Sequence, residues 1–270
     1  MKSLKKLARR ALERLGWLAG PTERKSLLLS NLDLDGLGLE LGPSHAPVAP
    51  KAEGFRVEVL DHANRERLVE KYGLLGVDTS RIEEVDHVWD GQRYAELVGG
   101  AERFEWILAS HVLEHVPDLL GTLLQCQEIL KPGGILSIAL PDHRYIFDRE
   151  RTPSSLAAVI DAHLREDMRP TPGTVAEFYL RFVKKGTSEA WYPWYPGVVH
   201  RSNTTEDALA RFERSRVSEV YQDVHVWVFT KETFAGIVED LGRLGLLDLE
   251  IVAPPAGRLI EFFLQLRRKK

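Results

Sequence analysis

The chain has 270 residues, of which 44% are hydrophobic and 28% are charged, and its formal net charge is −4. This length supports one hydrophobic core with a small subdomain, and the modest negative charge gives no support to nucleic-acid binding. The single cysteine, Cys126, excludes a disulfide within the chain and a cysteine-based metal site, and its apolar helical surroundings predict a buried residue. A reducing, cytoplasmic setting fits this cysteine content, and no apolar run is long enough to predict a transmembrane helix.

An amphipathic basic helix is predicted at the N-terminus, within a first segment that we place at residues 1–25. Leucines and alanines recur there at helical spacing, and lysines and arginines fill the opposite face. Two interpretations stay open. The helix packs on its own domain with a solvated basic face, which its modest apolar stripe favours, or residues 1–20 make a weak contact with a membrane surface.

Five apolar segments alternate with helical patterns after a polar connector at residues 21–36. The proline residues Pro47 and Pro50 argue against a long helix after the first of these segments. The alternation predicts an α/β fold with a doubly wound, mostly parallel sheet. We expect strands at residues 37–41, 55–60, 85–89, 104–109 and 135–140, and helices at residues 64–72, 93–98 and 118–130.

Glycine, acidic residues and histidines follow these strands at their carboxyl ends. In doubly wound sheets ligands bind outside that edge, so the sequence predicts a binding site there. The residues at the five strand ends are Gly42, Asp61, Asp90, Ser110 with His111, and Asp142 with His143.

The alternation stops at residues 151–222, which we interpret as an inserted, mainly helical cap over the strand ends. Helices are expected at residues 154–164, 174–184 and 206–221. Between the last two lies a doubled aromatic motif, WYPWYP, for which two interpretations are equally supported. The rings pack locally, or they form a wall that stacks on a sugar or an aromatic acceptor; Trp191, Tyr192 and Trp194 are then candidate substrate contacts.

The rest of the chain closes the sheet. Residues 224–229 return toward the core, and Thr230 begins a helix. A closing pair of strands at residues 247–252 and 259–266 brings the number of strands to seven and predicts an antiparallel edge strand. The main domain therefore comprises residues 26–150 and 223–270.

The motifs ELG, VLDH, WDG, FEWILASHVLEHVPD and ILKPGGILSIALPD follow one another across residues 37–145. In this order they resemble the motifs of class I S-adenosylmethionine-dependent methyltransferases, of the type 11 group. The resemblance implies a Rossmann-like fold, S-adenosylmethionine as cofactor and S-adenosylhomocysteine as product. The chain departs from the family in its first loop, where Gly42 stands alone although three alternate glycines are usual.

The resemblance also implies a set of cofactor-binding residues. In the family an acid and a glycine of the first motif contact the methionine moiety, and a second acid accepts hydrogen bonds from both ribose hydroxyls. A third motif meets the adenine, and the end of the fourth strand lies beside the methyl group. The corresponding positions are Glu40, Gly42, Pro43 and Ser44; Asp61 and His62; Asp90 and Gly91; and Ser110 and His111.

Candidate catalytic residues follow from the chemistry of methyl transfer. The reaction is an in-line displacement that needs alignment, and a hydroxyl acceptor also benefits from a general base. His143 and His225 are the first candidates, with His111 a third and Asp142 as an orienting carboxylate. Each histidine also has a purely structural interpretation, as a partly buried side chain bonded to the backbone.

The histidine spacing favours no metal site, since only His111 and His115 lie at a helical ligand spacing. Arg144 and Tyr145 are candidate acceptor contacts. By analogy with type 11 chains that occur beside polysaccharide-assembly genes, we expect O-methylation of a glycan, a nucleotide-sugar or another polar small molecule. A lipid-linked acceptor is the alternative substrate.

Two readings from other classes are kept beside the enzyme. The first is a non-catalytic S-adenosylmethionine-fold binding module associated with polysaccharide assembly. The second, an NAD-dependent dehydrogenase, is disfavoured because no glycine fingerprint follows Leu41. The oligomeric state is left open.

Overall fold

The computed structural model describes residues 12–13 and 17–270, and all structural statements below concern these residues. The predicted N-terminal basic helix lies almost wholly outside them. Among the described helices, none combines the length and the apolarity that crossing a bilayer requires.

Helices and strands alternate through the first half of the described chain. The helices are α1 (Pro21–Leu29), α2 (Arg65–Leu74), α3 (Tyr94–Leu97), α4 (Leu119–Ile129), α5 (Leu156–Leu164), α6 (Pro172–Arg181), α7 (Thr205–Val217) and α8 (Lys231–Arg243). The strands are β1 (Gly38–Leu41), β2 (Val57–Asp61), β3 (His87–Val88), β4 (Phe104–Ser110), β5 (Leu130–Pro141), β6 (Val183–Lys185), β7 (Val199–Arg201), β8 (Leu249–Ile251), β9 (Ala256–Arg258) and β10 (Glu261–Arg268).

Short polar side chains fix where most of these helices begin. Each accepts a hydrogen bond from a backbone N–H in the first helical turn, which satisfies a donor that the helix leaves unpaired. The capping residues are Asn64 for α2, Asp118 for α4, Ser155 for α5, Thr171 for α6, Thr204 for α7 and Thr230 for α8.

The main sheet has the strand order β3-β2-β1-β4-β5-β10-β8, and the short strand β9 also pairs with β10. Strands β1 to β5 run parallel, whereas β10 is antiparallel to both β5 and β8. The predicted α/β, doubly wound, mostly parallel fold with antiparallel pairing at one edge is thereby confirmed. In the register, Leu41 pairs with Leu60 and with Ala109, so the carboxyl ends of three strands lie side by side.

The two faces of the sheet are covered differently. On one face Leu39, Leu41 and their neighbours join the large core beneath α3, α4, α5 and α8. On the other face Trp106 and Leu108 pack against Leu28 of α1 and the irregular segment after β1. Gly38 belongs to this second face, where a Cβ atom would lie 2.1 Å from the Trp106 ring, so only glycine fits.

The structure corrects two details of the predicted elements and confirms a third. The connector at residues 21–36 contains α1, whose Leu28 carbonyl accepts a hydrogen bond from the Ser137 hydroxyl. Residues 224–229 return to the main core as expected, through Trp227 and Phe229, and pair with the chain after β5 by one bridge, Asp142 to Phe229. Helix α5, placed in the cap by the sequence, packs into the main core through Val159 and Ala162.

Candidate active site

The first loop, which follows β1, is a tight turn held by the neighbouring strand. Gly42 has a φ of 54° and donates its N–H to the Leu60 carbonyl, and Ser44 has a φ of 46°. A Cβ atom at Gly42 would lie 3.0 Å from a methyl group of Val112. Both the left-handed conformation and the crowding therefore favour glycine at position 42.

Glu40 faces the second side of the sheet and is almost completely buried. Its carboxylate accepts hydrogen bonds from the backbone N–H groups of Val48, at 2.7 Å, and Ala49, at 3.2 Å. Burial raises the pKa of Glu40 to about 7, although these two backbone donors act in the opposite direction. In this structure Glu40 therefore holds the chain after the first loop, where Pro47 and Pro50 disfavour a long helix.

Asp61 ends β2 with a buried carboxylate next to the first loop. Its Oδ2 atom accepts hydrogen bonds from the N–H and the hydroxyl of Ser44, both at 3.2 Å. Its Oδ1 atom accepts a hydrogen bond from the N–H of His62, whose ring nitrogen Nδ1 also lies 2.6 Å away. The carboxylate thus has polar donors on both oxygens.

Asp90 and Gly91 lie in an exposed bend after β3. The N–H of Asp90 donates to the Gln92 side chain, and Gly91 has a φ of 113°. Met168, from the segment between α5 and α6, approaches Gly91 closely. The bend therefore exposes its carboxylate to solvent beside an apolar side chain.

Ser110 and His111 end β4 and are bound by side chains that the sequence analysis did not single out. The Arg24 guanidinium donates to the Ser110 hydroxyl and, at 3.0 Å, to Glu261. The His111 ring lies between two carboxylates, with Nε2 at 3.1 Å from Glu261 and Nδ1 at 3.3 Å from Glu114. Burial alone would lower the pKa of His111, but the two carboxylates outweigh it and raise the pKa to about 9.

Asp142 and His143 follow β5, and their environments differ. The Asp142 carboxylate accepts two hydrogen bonds from the Arg144 guanidinium, so it pairs with that arginine and not with a histidine. The backbone N–H of His143 donates to the Phe229 carbonyl. Burial lowers the pKa of His143, and its Nδ1 atom has no hydrogen-bond partner among the described residues.

His225 lies in the segment that returns from the cap, and its orienting carboxylate is Asp148. The ring nitrogen Nδ1 of His225 lies 2.5 Å from Asp148, which in turn pairs with the buried Arg151 at 2.9 Å. Arg151 also donates to the His225 carbonyl at 2.8 Å. The expectation that Asp142 orients this histidine is therefore wrong, because the carboxylate at Nδ1 comes from Asp148.

A cavity of about 590 Å³ lies beside the first loop. The predicted acceptor contacts Trp191 and Tyr192 line it, together with Tyr195. Trp194 instead packs against Trp17 with a centroid distance of 4.7 Å. Arg144 and Tyr145 are not among the lining residues, whereas five charged side chains are: Arg24, Lys25, Glu53, Arg81 and Glu261.

Four residues of the site were not predicted from the sequence, each for a different reason or with a different strength of signal: Glu261, Arg24, Asp148 and Arg151. Glu261 opens the antiparallel strand β10, and the first residue of such a strand lies at the carboxyl-end edge of its parallel neighbours. The predicted strand began at residue 259, so the sequence did not single out Glu261. Arg24 belongs to a segment interpreted as a connector. Asp148 and Arg151 come from a charged run, DRERT, that carries no signal of burial.

Comparison with known proteins adds an independent observation. The sequence matches the family described as a methyltransferase domain over residues 8–242. The ubiquinone biosynthesis O-methyltransferase of Cereibacter sphaeroides is 32% identical over 94 residues, which are 35% of this chain and 30% of that protein. The corresponding protein of Xanthomonas campestris pv. campestris is 34% identical over 89 residues, 33% of either chain. This chain therefore spans about a third of the length of the curated relatives it matches.

The solved structures that this chain resembles have low sequence identity to it. An S-adenosylmethionine-dependent methyltransferase from Mesorhizobium loti is 13% identical with a TM-score of 0.46, covering 93% of this chain and 99% of that one. A 1,6-didemethyltoxoflavin-N1-methyltransferase from Burkholderia thailandensis, crystallised with S-adenosylhomocysteine, is 13% identical with a TM-score of 0.39, covering 100% and 87%.

Proposed function

The chain belongs to the family of S-adenosylmethionine-dependent methyltransferase domains, and from this membership we propose that it methylates a hydroxyl oxygen of a small polar acceptor. Glycans and nucleotide-sugars are the acceptor classes that we favour. The choice of oxygen is supported by the relatives from Cereibacter and Xanthomonas, which are named O-methyltransferases.

The observation that carries the acceptor proposal is the cavity beside the first loop. Its wall combines the aromatic rings of Trp191, Tyr192 and Tyr195 with the charged groups of Arg24 and Glu261. Aromatic faces stack on the apolar faces of sugar rings, while charged groups accept and donate hydrogen bonds to hydroxyls. Arg24 and Glu261 also contact Ser110 and His111, so the cavity adjoins the predicted methyl-transfer position.

The residues present fit the cofactor. The carboxylate of Asp61 already accepts hydrogen bonds from an N–H and a hydroxyl of Ser44, and ribose hydroxyls are donors of the same kind. Gly42 has no side chain, so a ligand can approach the backbone of the first loop. S-adenosylmethionine, when bound, supplies an electrophilic methyl group on a sulfonium.

The protein's own contribution to transfer is alignment and removal of the acceptor proton. We assign the general base to His143, because burial lowers its pKa and the imidazole is then neutral near pH 7. His143 also follows β5 at the carboxyl-end edge of the sheet, where ligands bind in this architecture. Asp61 and Gly42 bind the donor, and the aromatic wall of the cavity orients the acceptor.

A second candidate function is a non-catalytic binding module of the same fold. It is favoured by the first loop, in which Ser44 occupies one oxygen of Asp61 and Glu40 turns toward Val48 and Ala49. If the cofactor cannot displace these contacts, the first loop has only a structural role.

Calorimetric titration with S-adenosylmethionine and S-adenosylhomocysteine separates the two functions. The enzyme binds both, and an Asp61→Ala variant binds neither. Incubation with isotopically labelled S-adenosylmethionine and a panel of nucleotide-sugars, oligosaccharides and hydroxylated small molecules then identifies the acceptor by mass spectrometry. Failure to bind either cofactor form at millimolar concentration would overturn the enzyme proposal.

A further inference from the structure

We propose that Glu114, His115 and His225 form a binding site for a divalent transition-metal ion. Glu114 and His115 are adjacent in the sequence and His225 lies far from both, but each offers a ligand atom within 4.8 Å of the others. Two imidazoles and one carboxylate are a donor set that Zn²⁺ and related ions bind in proteins. The sequence analysis expected no metal site, because the fold alone brings His225 to the other two.

Backbone hydrogen bonds hold the two segments together. The Glu114 carbonyl accepts the N–H groups of Val226, at 2.7 Å, and Trp227, at 3.1 Å. This contact places the His115 ring 4.7 Å from the His225 ring, nearly perpendicular to it. The arrangement of the donors therefore belongs to the folded backbone and does not depend on a flexible surface loop.

The Glu114 carboxylate is the observation that points to a ligand. Its side chain is 1% exposed, and its ionic partner among the described residues is the His111 ring, which lies 3.3 Å from Oε1. Neither carboxylate oxygen forms a well-aligned hydrogen bond with a described residue. Buried carboxylates are normally fully hydrogen-bonded or coordinate a metal, so Glu114 has capacity for a further cation.

Each of the two histidines also has a carboxylate close to its Nδ1 atom. Asp148 lies 2.5 Å from Nδ1 of His225, which leaves Nε2 of that ring to face a ligand. Asp223 lies 2.8 Å from Nδ1 of His115. Carboxylates in this position fix the ring orientation of metal-binding histidines and raise their basicity. Arg151, buried against Asp148, holds the first of these pairs in place.

The three ligand atoms already lie near one another. They are within 4.8 Å of each other, whereas atoms bound at about 2.1 Å in a tetrahedral arrangement lie about 3.4 Å apart. Binding therefore brings each pair of ligand atoms closer by about 1.4 Å or less, which side-chain rotations supply. An ion held by three protein groups retains an open coordination position, which a water molecule can fill.

Metal binding is tested without the cofactor or any acceptor. The full-length protein, freed of metal by a chelator, is titrated with Co²⁺ while the visible absorption bands of the bound ion are recorded, and with Zn²⁺ in a calorimeter. We expect one ion per chain, displacement of Co²⁺ by Zn²⁺, and no comparable binding of Mg²⁺, which disfavours imidazole ligands.

Variants locate the site. Glu114→Gln and His225→Gln should abolish the Co²⁺ bands, and Asp223→Asn, whose side chain is largely exposed, should weaken Zn²⁺ binding by about 10-fold or more. The matched control is His87→Gln, which removes a histidine paired with a carboxylate elsewhere, at 2.7 Å from Glu58, and should leave the bands unchanged.

Circular dichroism shows whether each variant is folded. If the native protein gives no Co²⁺ bands and no heat with Zn²⁺, the proposal fails, and His111 alone balances the Glu114 charge. If Asp223→Asn, correctly folded, binds Zn²⁺ as tightly as the native protein, the site is not the one proposed. Neither result bears on cofactor binding, which the titration with S-adenosylmethionine measures separately.

Discussion

Glu40 makes the stability of this protein depend on pH, and the size of that dependence can be worked out from its burial. Its carboxyl group has a pKa of about 7 in the folded protein, against 4.5 as the ordinary value. Between these values the folded state keeps a proton that the unfolded state has lost. The contribution of Glu40 to the free energy of unfolding is therefore fully present below pH 4.5 and is lost as the pH rises through 7.

The difference between 4.5 and about 7, at about 1.36 kcal/mol per pH unit, corresponds to about 3.4 kcal/mol. A Glu40→Gln variant cannot ionise and keeps only one acceptor oxygen for the N–H groups of Val48 and Ala49. At pH 5 we expect it to be less stable than the native protein by about 1–3 kcal/mol. By pH 8 the native protein has lost its advantage, so the difference shrinks by about 2.5 kcal/mol or reverses.

Urea unfolding of both proteins at pH 5, 6, 7 and 8 measures this effect. The native free energy of unfolding should fall across the window more steeply than that of Glu40→Gln, while Glu70→Gln, an exposed control on α2, should follow the native protein. Equal pH slopes for the native protein and Glu40→Gln would refute the reasoning, because Glu40 would then not be the group that titrates.

Three further predictions concern the cofactor, the base and the sheet. Asp61→Asn should weaken S-adenosylmethionine binding by at least about 10-fold, since it removes the charged acceptor, and calorimetry would contradict the assignment by showing native affinity. His143→Ala should slow methyl transfer by about 10² to 10⁴-fold with cofactor affinity unchanged, whereas His200→Ala on an exposed strand should keep the native rate. Gly38→Ala, which drives a Cβ into Trp106, should destabilise the protein by about 3 kcal/mol or more in urea unfolding, while Gly73→Ala, with no described atom within 4 Å, should be neutral or slightly stabilising.

The order and type of the main elements could be predicted because they follow from local patterns. Strand and helix periodicities are written in consecutive residues, and strong N-caps such as Asn64, Asp118 and Thr230 mark where helices begin. The antiparallel strand was predicted from the same kind of evidence, since two strands close the chain without a helix between them. Helix α1 was missed because only its last three residues are apolar, and its contacts through Arg24 and Leu28 are with residues far away in the sequence.

The partners of the site residues could not be predicted, because they come from segments far away in the sequence. Asp142 was expected to orient a histidine. Its carboxylate instead accepts a hydrogen bond from Arg144, and the His225 ring pairs with Asp148. The contacts of Glu40 with the N–H groups of Val48 and Ala49 were also not predicted, and its role toward the methionine moiety stays a prediction. The cofactor roles of Asp61, Asp90 and Ser110 stay predictions.

The sequence by itself determined the sheet, its parallel core and the edge at which polar residues collect, since each of these depends on the period of the hydrophobic pattern and on chain order. Only the tertiary structure decided which charges meet at that edge. Pairings such as His111 with Glu261, or the approach of His225 to Glu114 and His115, join residues that are up to 150 positions apart. A local pattern carries no information on contacts at that distance, because they arise when the folded backbone brings whole segments together.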